Sequence, residues 1–255
     1  MSELRLRSRT VSEIVDAAFA LYRRNAMQYI LVTALASSPL LILQLLLPDA
    51  AQPAPGNLLS WPVVALSVAS WITYSLMSAV VVKLGSQVYL GAEPDLAQTV
   101  REVLPQLPAV MVAGLLKATL LFAGLLCFLV GAIYVVARFF AVSTTVVLEG
   151  QGPFSAFGRS SELSRGRKRF IFNALILVWI IYTVLNFGVL SLAGIPKSAV
   201  ITIVASSAFT IVAYPVIALT EMLLYYDARI RGEGFDIEQM AAALDAKAAT
   251  GVAMP

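Results

Sequence analysis

Apolar runs close to the roughly 20 residues that an α-helix needs to cross a hydrocarbon core recur along this chain, separated by short polar intervals. They cover Ala26 to Leu47, Trp61 to Lys83, Ala109 to Val130, Gly131 to Leu148, Phe170 to Ala193 and Ala199 to Tyr226. The stretch from Ala109 to Leu148 is too long for one crossing and contains no polar turn, so it is divided near Gly131. The pattern predicts an all-α polytopic membrane protein with six transmembrane helices. Residues 1–232 form a single domain on this reading, and 233–255 a short cytoplasmic tail.

A second pattern lies between the spans. Val11, Ile14, Val15, Ala18, Phe19 and Tyr22 share one helical face, and Thr10 and Glu13 have the spacing of a capping box. A second amphipathic segment starts from Asp95 as N-cap, runs through Leu96, Val100, Val103 and Leu104, and meets a helix stop at Pro105. A third opens with Pro153 in its first turn and carries Phe154, Phe157 and Leu163, the weakest stripe of the three. Each precedes a pair of spans by a similar interval. This suggests three interfacial amphipathic helices, each leading a membrane hairpin, in a pseudo-threefold repeat. The competing reading is that any loop hugging a bilayer becomes amphipathic.

Composition agrees with the spans: 59% of residues are hydrophobic and only 13% charged, with a mean hydropathy of +0.84. A net charge of +3 is too small to suggest nucleic-acid binding, and the basic residues are gathered beside the apolar runs. Arg5, Arg7, Arg9, Arg23 and Arg24, then Arg159, Arg165, Arg167, Lys168 and Arg169, then Arg229 and Arg231 fall on one side, whereas the opposite loops hold Lys197 and Asp49. The positive-inside bias then places both termini in the cytoplasm, and the bacterial inner membrane is the expected location. Mostly polar or amphipathic residues precede the first apolar run, which is too long for a signal-peptide core, so an uncleaved anchor is expected.

The chain contains no histidine, so no imidazole base and no Cys/His zinc cluster are expected. Cys127 lies in an apolar run and reads as a small core residue. Glu233, Asp236 and Glu238 read as a solvated polar tail, and Gly150 to Pro153 as a helix boundary rather than a phosphate loop. No catalytic constellation, cofactor or metal is expected.

What stands out is charge inside the apolar runs, at Lys117, Arg138 and Glu221. At ~1.5 Å per helical residue all three fall roughly 9 to 17 Å inside the cytoplasmic half. Two readings stay open. Arg138 and Glu221 could form a buried pair that locks two helices while Lys117 snorkels. Alternatively, the excess positive charge could hold a lipid phosphate, with Arg138 as a fork and Lys117 as a point charge. The cluster Arg165, Arg167, Lys168 and Arg169 would attract anionic phospholipid at ~1 kcal/mol per basic residue. Ser37, Ser38, Ser67, Ser70, Tyr74, Ser75, Ser78, Asn173, Asn186, Ser206, Ser207 and Thr210 lie within spans, as do Pro39 and Pro215. Such residues pack helices in a scaffold and line a site in a transporter.

Four stretches resemble the membrane domain found in some bacterial glycerophosphoryl diester phosphodiesterases and in stand-alone membrane proteins. They are Thr10-Val11-Ser12-Glu13-Ile14 through Leu21-Tyr22-Arg23-Arg24-Asn25, then Gly131-Ala132-Ile133-Tyr134 with Arg138, then Leu148-Glu149-Gly150 through Ser164-Arg165-Gly166-Arg167, and finally Tyr225-Tyr226-Asp227-Ala228-Arg229-Ile230-Arg231 through Gly234-Phe235-Asp236. The resemblance implies a six-helix membrane fold without the histidine-bearing phosphodiesterase barrel, and so no carry-over of that activity. The leading expectation is a non-enzymatic membrane module that binds anionic phospholipid or a partner membrane protein. A small transporter or lipid-moving protein is one alternative, weakened by the scarcity of polar residues in the outer halves of the third and fourth spans. An interfacial enzyme using Glu221 or Asp227 as acid or base is the other.

Overall fold

The computed structural model of the chain describes residues 9–126 and 130–234. Cys127, Arg5, Arg7 and the tail residues Asp236 and Glu238 lie outside the described residues. The order is α1 (Val11–Arg24), α2 (Ala26–Leu46), a short α3 (Pro48–Ala51), α4 (Trp61–Tyr89), α5 (Leu96–Val103), α6 (Leu107–Leu126), α7 (Val130–Arg138), α8 (Val142–Glu149), α9 (Pro153–Leu163), α10 (Lys168–Ala193) and α11 (Ala199–Glu233). Among the described residues six helical stretches are long and apolar enough to cross a membrane: α2, α4, α5 with α6, α7 with α8, α10 and α11.

Local chemistry explains the boundaries. The Thr10 backbone N–H donates to Glu13 Oε2 at 2.7 Å, while the Glu13 N–H donates to Thr10 Oγ1 at 3.4 Å, which completes the capping box that opens α1. Asp95 Oδ1 accepts from the Gln98 N–H at 3.0 Å and opens α5. α5 stops ahead of Pro105, but no loop follows. One 3₁₀ turn, Leu104–Gln106, leads straight into α6, because a proline at the start of a turn has no N–H to satisfy. The last helix extends through Glu233 rather than ending at Tyr226, so Glu233 belongs to the bundle and not to the tail.

The helices close a ring of order three. Each of α2 with α4, α6 with α7, and α10 with α11 packs as a hairpin. The second member of each hairpin then touches the first member of the next: α4 meets α6, α7 meets α10, and α11 meets α2. The short amphipathic helices follow the same rule, with α5 on α4, α9 on α8, and α1 on α11. Gly91, Gly150 and Gly234, which directly follow or closely follow α4, α8 and α11, all have left-handed φ, of 83°, 65° and 66°. A glycine meets this turn without steric cost, and after Gly91 and Gly150 the turn lets α5 and α9 fold back against the spans they leave. α1 accordingly directs Ile14, Ala18 and Leu21, all fully buried, into the bundle.

Breaks in the spans are answered by neighbouring hydroxyls, as an apolar environment requires. Pro39 frees the Leu35 carbonyl, to which Ser38 Oγ donates at 2.9 Å. Pro215 frees the Ile211 carbonyl, and Thr33 Oγ1 of α2 lies 2.8 Å from it and 2.8 Å from the Tyr29 carbonyl, so one proton serves both. Between α7 and α8 the fourth span is interrupted at residues 139–141. Ser160 of α9 accepts from the Ala141 N–H at 3.1 Å and donates to the Arg138 carbonyl at 3.2 Å. Gly124 has no room for a side chain: a Cβ there would sit 2.7 Å from the backbone of Gly131 and Ala132, so α6 and α7 cross in near-backbone contact.

Candidate functional site

The interruption at residues 139–141 decides where Arg138 points. Its Nε donates to Ser161 Oγ at 2.9 Å and its Nη1 to the Tyr134 hydroxyl at 2.5 Å. The guanidinium lies 5.5 Å from the Tyr134 ring centre and 5.4 Å from that of Phe139. Lys168, at the start of α10, reaches the same tyrosine, with Nζ 3.4 Å from the hydroxyl and 4.4 Å from the ring centre. Two residues read separately in the sequence, one as an intramembrane charge and one as part of a surface cluster, therefore converge on one phenol.

The pairing of Arg138 with Glu221 does not form. Arg138 sits at the end of α7, where the chain bends, and its guanidinium reaches Ser161 of α9 and Tyr134 of its own helix. Glu221, on α11, makes none of these contacts and lies within electrostatic range of Lys117 of α6. Among the described residues neither Lys117 nor Glu221 has an ion-pair partner within 4.0 Å. Arg138 thus stands apart from Glu221, and no hydrogen bond or ion pair among the described residues joins it to Lys117.

The surface cluster also divides. Arg167 donates through Nη2 to Asp227 Oδ2 at 2.7 Å, and Asp227 is only 2% exposed. The Arg231 Nε lies 3.2 Å from the same carboxylate, and the Arg9 backbone N–H donates to it at 2.8 Å. Arg231 Nη2 in turn donates to the Arg9 carbonyl at 2.6 Å. A buried carboxylate held by this many donors is structural: it ties the segment before α1 to α11 and to the turn before α10. Asp227 is therefore occupied as an acceptor by Arg167, Arg231 and the Arg9 backbone.

Arg165, Lys168 and Arg169 remain without an ion pair among the described residues, as does Arg138. Beside them a cavity of about 570 Å³ is lined by Gly166, Arg167, Lys168, Arg169, Phe170 and Arg231, with no carboxylate among these residues. Phe170 forms its apolar wall, with the Arg167 and Arg231 guanidinium groups 4.8 and 5.6 Å from the ring centre.

A second charge network, unforeseen from the sequence, lies nearby. Arg159 of α9 donates through Nε to both Glu149 oxygens at 3.0 Å, and through Nη1 and Nη2 to Glu233, the latter at 2.9 Å. Tyr225 donates to Glu149 at 2.8 Å, and Arg229 Nε to Glu233 at 3.0 Å. The hydrogen bond to Glu233 foremost, and that to Glu149 against the opposing effect of burial, hold the Arg159 guanidinium above its ordinary range and so permanently charged. α9 is thereby bolted to the ends of α8 and α11. Its sequence signal was the exchange of an apolar stripe for Ala156, Ser160 and Ser164 at helical spacing, all fully buried.

The six apolar helices and the buried inter-helix core define an all-α, multi-pass membrane protein. Comparison with family models, with curated proteins and with solved structures finds no match.

Proposed function

We propose that this protein is a non-enzymatic module of the bacterial cytoplasmic membrane whose basic end faces the cytoplasm and binds the headgroup of an anionic phospholipid. The observation that carries the reading is the convergence of Arg138 and Lys168 on Tyr134, next to a cavity that gathers cations and an aromatic wall but no carboxylate. A phosphate oxygen suits the Arg138 fork and the mobile Lys168 ammonium, while acyl chains have apolar surface to follow beside the exposed Tyr134. The orientation follows from the basic residues gathered at this end. Kinship with the membrane domain of the glycerophosphoryl diester phosphodiesterase family, without its barrel, belongs to the same proposal. The order of one amphipathic helix before each hairpin supports it.

Removing two cations should weaken headgroup binding by about 2 kcal/mol, at ~1 kcal/mol each, or roughly 30-fold. Native mass spectrometry from nanodiscs containing phosphatidylglycerol tests this. Wild type should carry lipid adducts that Arg138→Gln with Lys168→Gln loses, whereas Lys117→Gln should retain them, because Lys117 neither lines this cavity nor touches Tyr134. Equal retention by wild type and the double variant would count against the proposal.

A further inference from the structure

At the end of the bundle remote from the basic cluster, α2, α4, α10 and α11 enclose a cavity of about 190 Å³ whose wall is unusually polar for its depth. Gln44 lies two residues from the end of α2, and Ser37 nine residues from it, so the cavity runs from roughly 3 Å to about 14 Å below that end. Asn186 of α10 and Ser206, Ser207 and Thr210 of α11 face it from the other side. No charged side chain lines it. The volume accommodates on the order of six waters at about 30 Å³ each, and so a small solute.

The hydrogen-bonding direction of the wall selects the ligand. Ser37 Oγ donates to the Thr33 carbonyl at 2.6 Å, and Ser206 Oγ to the Ile203 carbonyl at 3.0 Å. A hydroxyl has one proton, so both oxygens offer only lone pairs to the cavity. Asn186 Oδ1 is buried and has no hydrogen-bond partner among the described residues, which is costly at bilayer depth. The wall thus presents the Ser37, Ser206 and Asn186 oxygens as acceptors on rigid helices, while the Gln44 and Asn186 amides and the Tyr74, Tyr182 and Thr210 hydroxyls can also donate. A cation would satisfy acceptors, but the missing carboxylate would leave its charge uncompensated. An anion would meet the Ser37, Ser206 and Asn186 lone pairs with no cationic side chain on the wall to offset its charge. A neutral molecule carrying several hydroxyl donors fits on both counts.

We infer that this cavity is a binding site for a small uncharged polyol, with Asn186 and the Ser37 and Ser206 oxygens as its acceptors. The site is independent of the headgroup site, from which it is separated along the bundle axis. It places polar residues in the far half of the first, second, fifth and sixth spans.

The test is saturation-transfer NMR of erythritol against the full chain in nanodiscs. Wild type should show saturable transfer with a millimolar midpoint. Asn186→Leu, which fills the cavity and removes the unpartnered oxygen, should abolish it, and the milder Ser206→Ala should raise the midpoint several-fold. Circular dichroism establishes that each variant is folded. Lys168→Gln should bind erythritol as wild type does. 1,2-Dimethoxyethane, which has the oxygens but no donors, should show no saturable transfer. The inference is overturned if folded wild type shows no saturable transfer, if Ser206→Ala and Asn186→Leu both match it, or if the donor-free ether binds equally well.

Discussion

Replacing Ser160 by alanine removes one oxygen and should unfasten the fourth span. Ser160 and Ala141 are both fully buried, so no water reaches the broken turn between α7 and α8. The change strands the Ala141 N–H, now 3.1 Å from Ser160 Oγ, and the Arg138 carbonyl, now 3.2 Å from it. An orphaned buried donor costs about 1–3 kcal/mol, with the carbonyl adding less because it has a second lone pair to relax with. The expected loss is about 2 kcal/mol, a factor of roughly 30 in the unfolding equilibrium. An ordinary side-chain hydrogen bond between membrane helices averages only ≈ 0.6 kcal/mol, because the separated helices find other partners. A backbone group in a fixed helix break has no such alternative, so the two descriptions differ measurably. The assay is equilibrium unfolding of the full chain in mild micelles titrated with sodium dodecyl sulfate, with amide exchange at Ala141 followed in parallel. Ser155→Ala, whose hydroxyl bonds only the Gly152 carbonyl at the surface, is the control and should cost under about 0.5 kcal/mol. A Ser160→Ala loss no larger than that of the control, with unchanged exchange at Ala141, would refute the assignment of Ser160 as the clasp of the break.

Other outcomes follow from the same structure. Asp227→Asn should destabilise by about 2–3 kcal/mol in the same titration, below the 3–5 expected for a fully buried pair, because Arg167 and Arg231 are partly exposed. Arg159→Lys should be more damaging than Arg165→Lys, since lysine cannot grip Glu149 and Glu233 with a fork, and equal unfolding midpoints would contradict the bridge. Gly124→Ala should cost about 1–3 kcal/mol by forcing α6 from α7, whereas Gly188→Ala, with nothing within 4 Å of its added carbon, should be neutral or gain up to ~1 kcal/mol. Matching midpoints for the two glycine variants would show that the crossing is not backbone-tight.

The spans were legible because an uninterrupted apolar run is the strongest signal a chain carries, and the capping box at Thr10 and Glu13 and the helix start at Pro153 were equally local. The interruption at residues 139–141 was hidden because its own residues are apolar and its remedy, Ser160, is supplied by another helix. For the same reason Arg138 was read at the wrong neighbour: depth counted along an unbroken helix brings it near Glu221, and the bend carries it to Tyr134. Glu233 read as part of the tail and Glu149 drew no reading as a charge partner, because the ion pairs of both are with Arg159 on another helix. The amphipathic segments were found at once, but what their faces cover was not. Hydrophobic spacing reports that a face is buried, and only the fold decides between lipid and a neighbouring helix. The repeat of Gly91, Gly150 and Gly234 was visible in principle, yet unequal intervals between the three glycines hide it from a search for a fixed period.

The closure of the ring has a consequence for how the protein is made. Two of the three seams join neighbours in the chain, α4 with α6 and α7 with α10, but the third joins α2 and α1 to α11. Its bonds link Arg9 to Asp227 and Thr33 to Ile211 across most of the sequence. During synthesis the first hairpin therefore waits in the bilayer with Thr33 and the inner face of α1 uncovered until the last span is delivered. Assembly is committed by its final helix, and a ribosome that stalls before α11 leaves an open chain with its seam exposed to the machinery that clears unfinished membrane proteins.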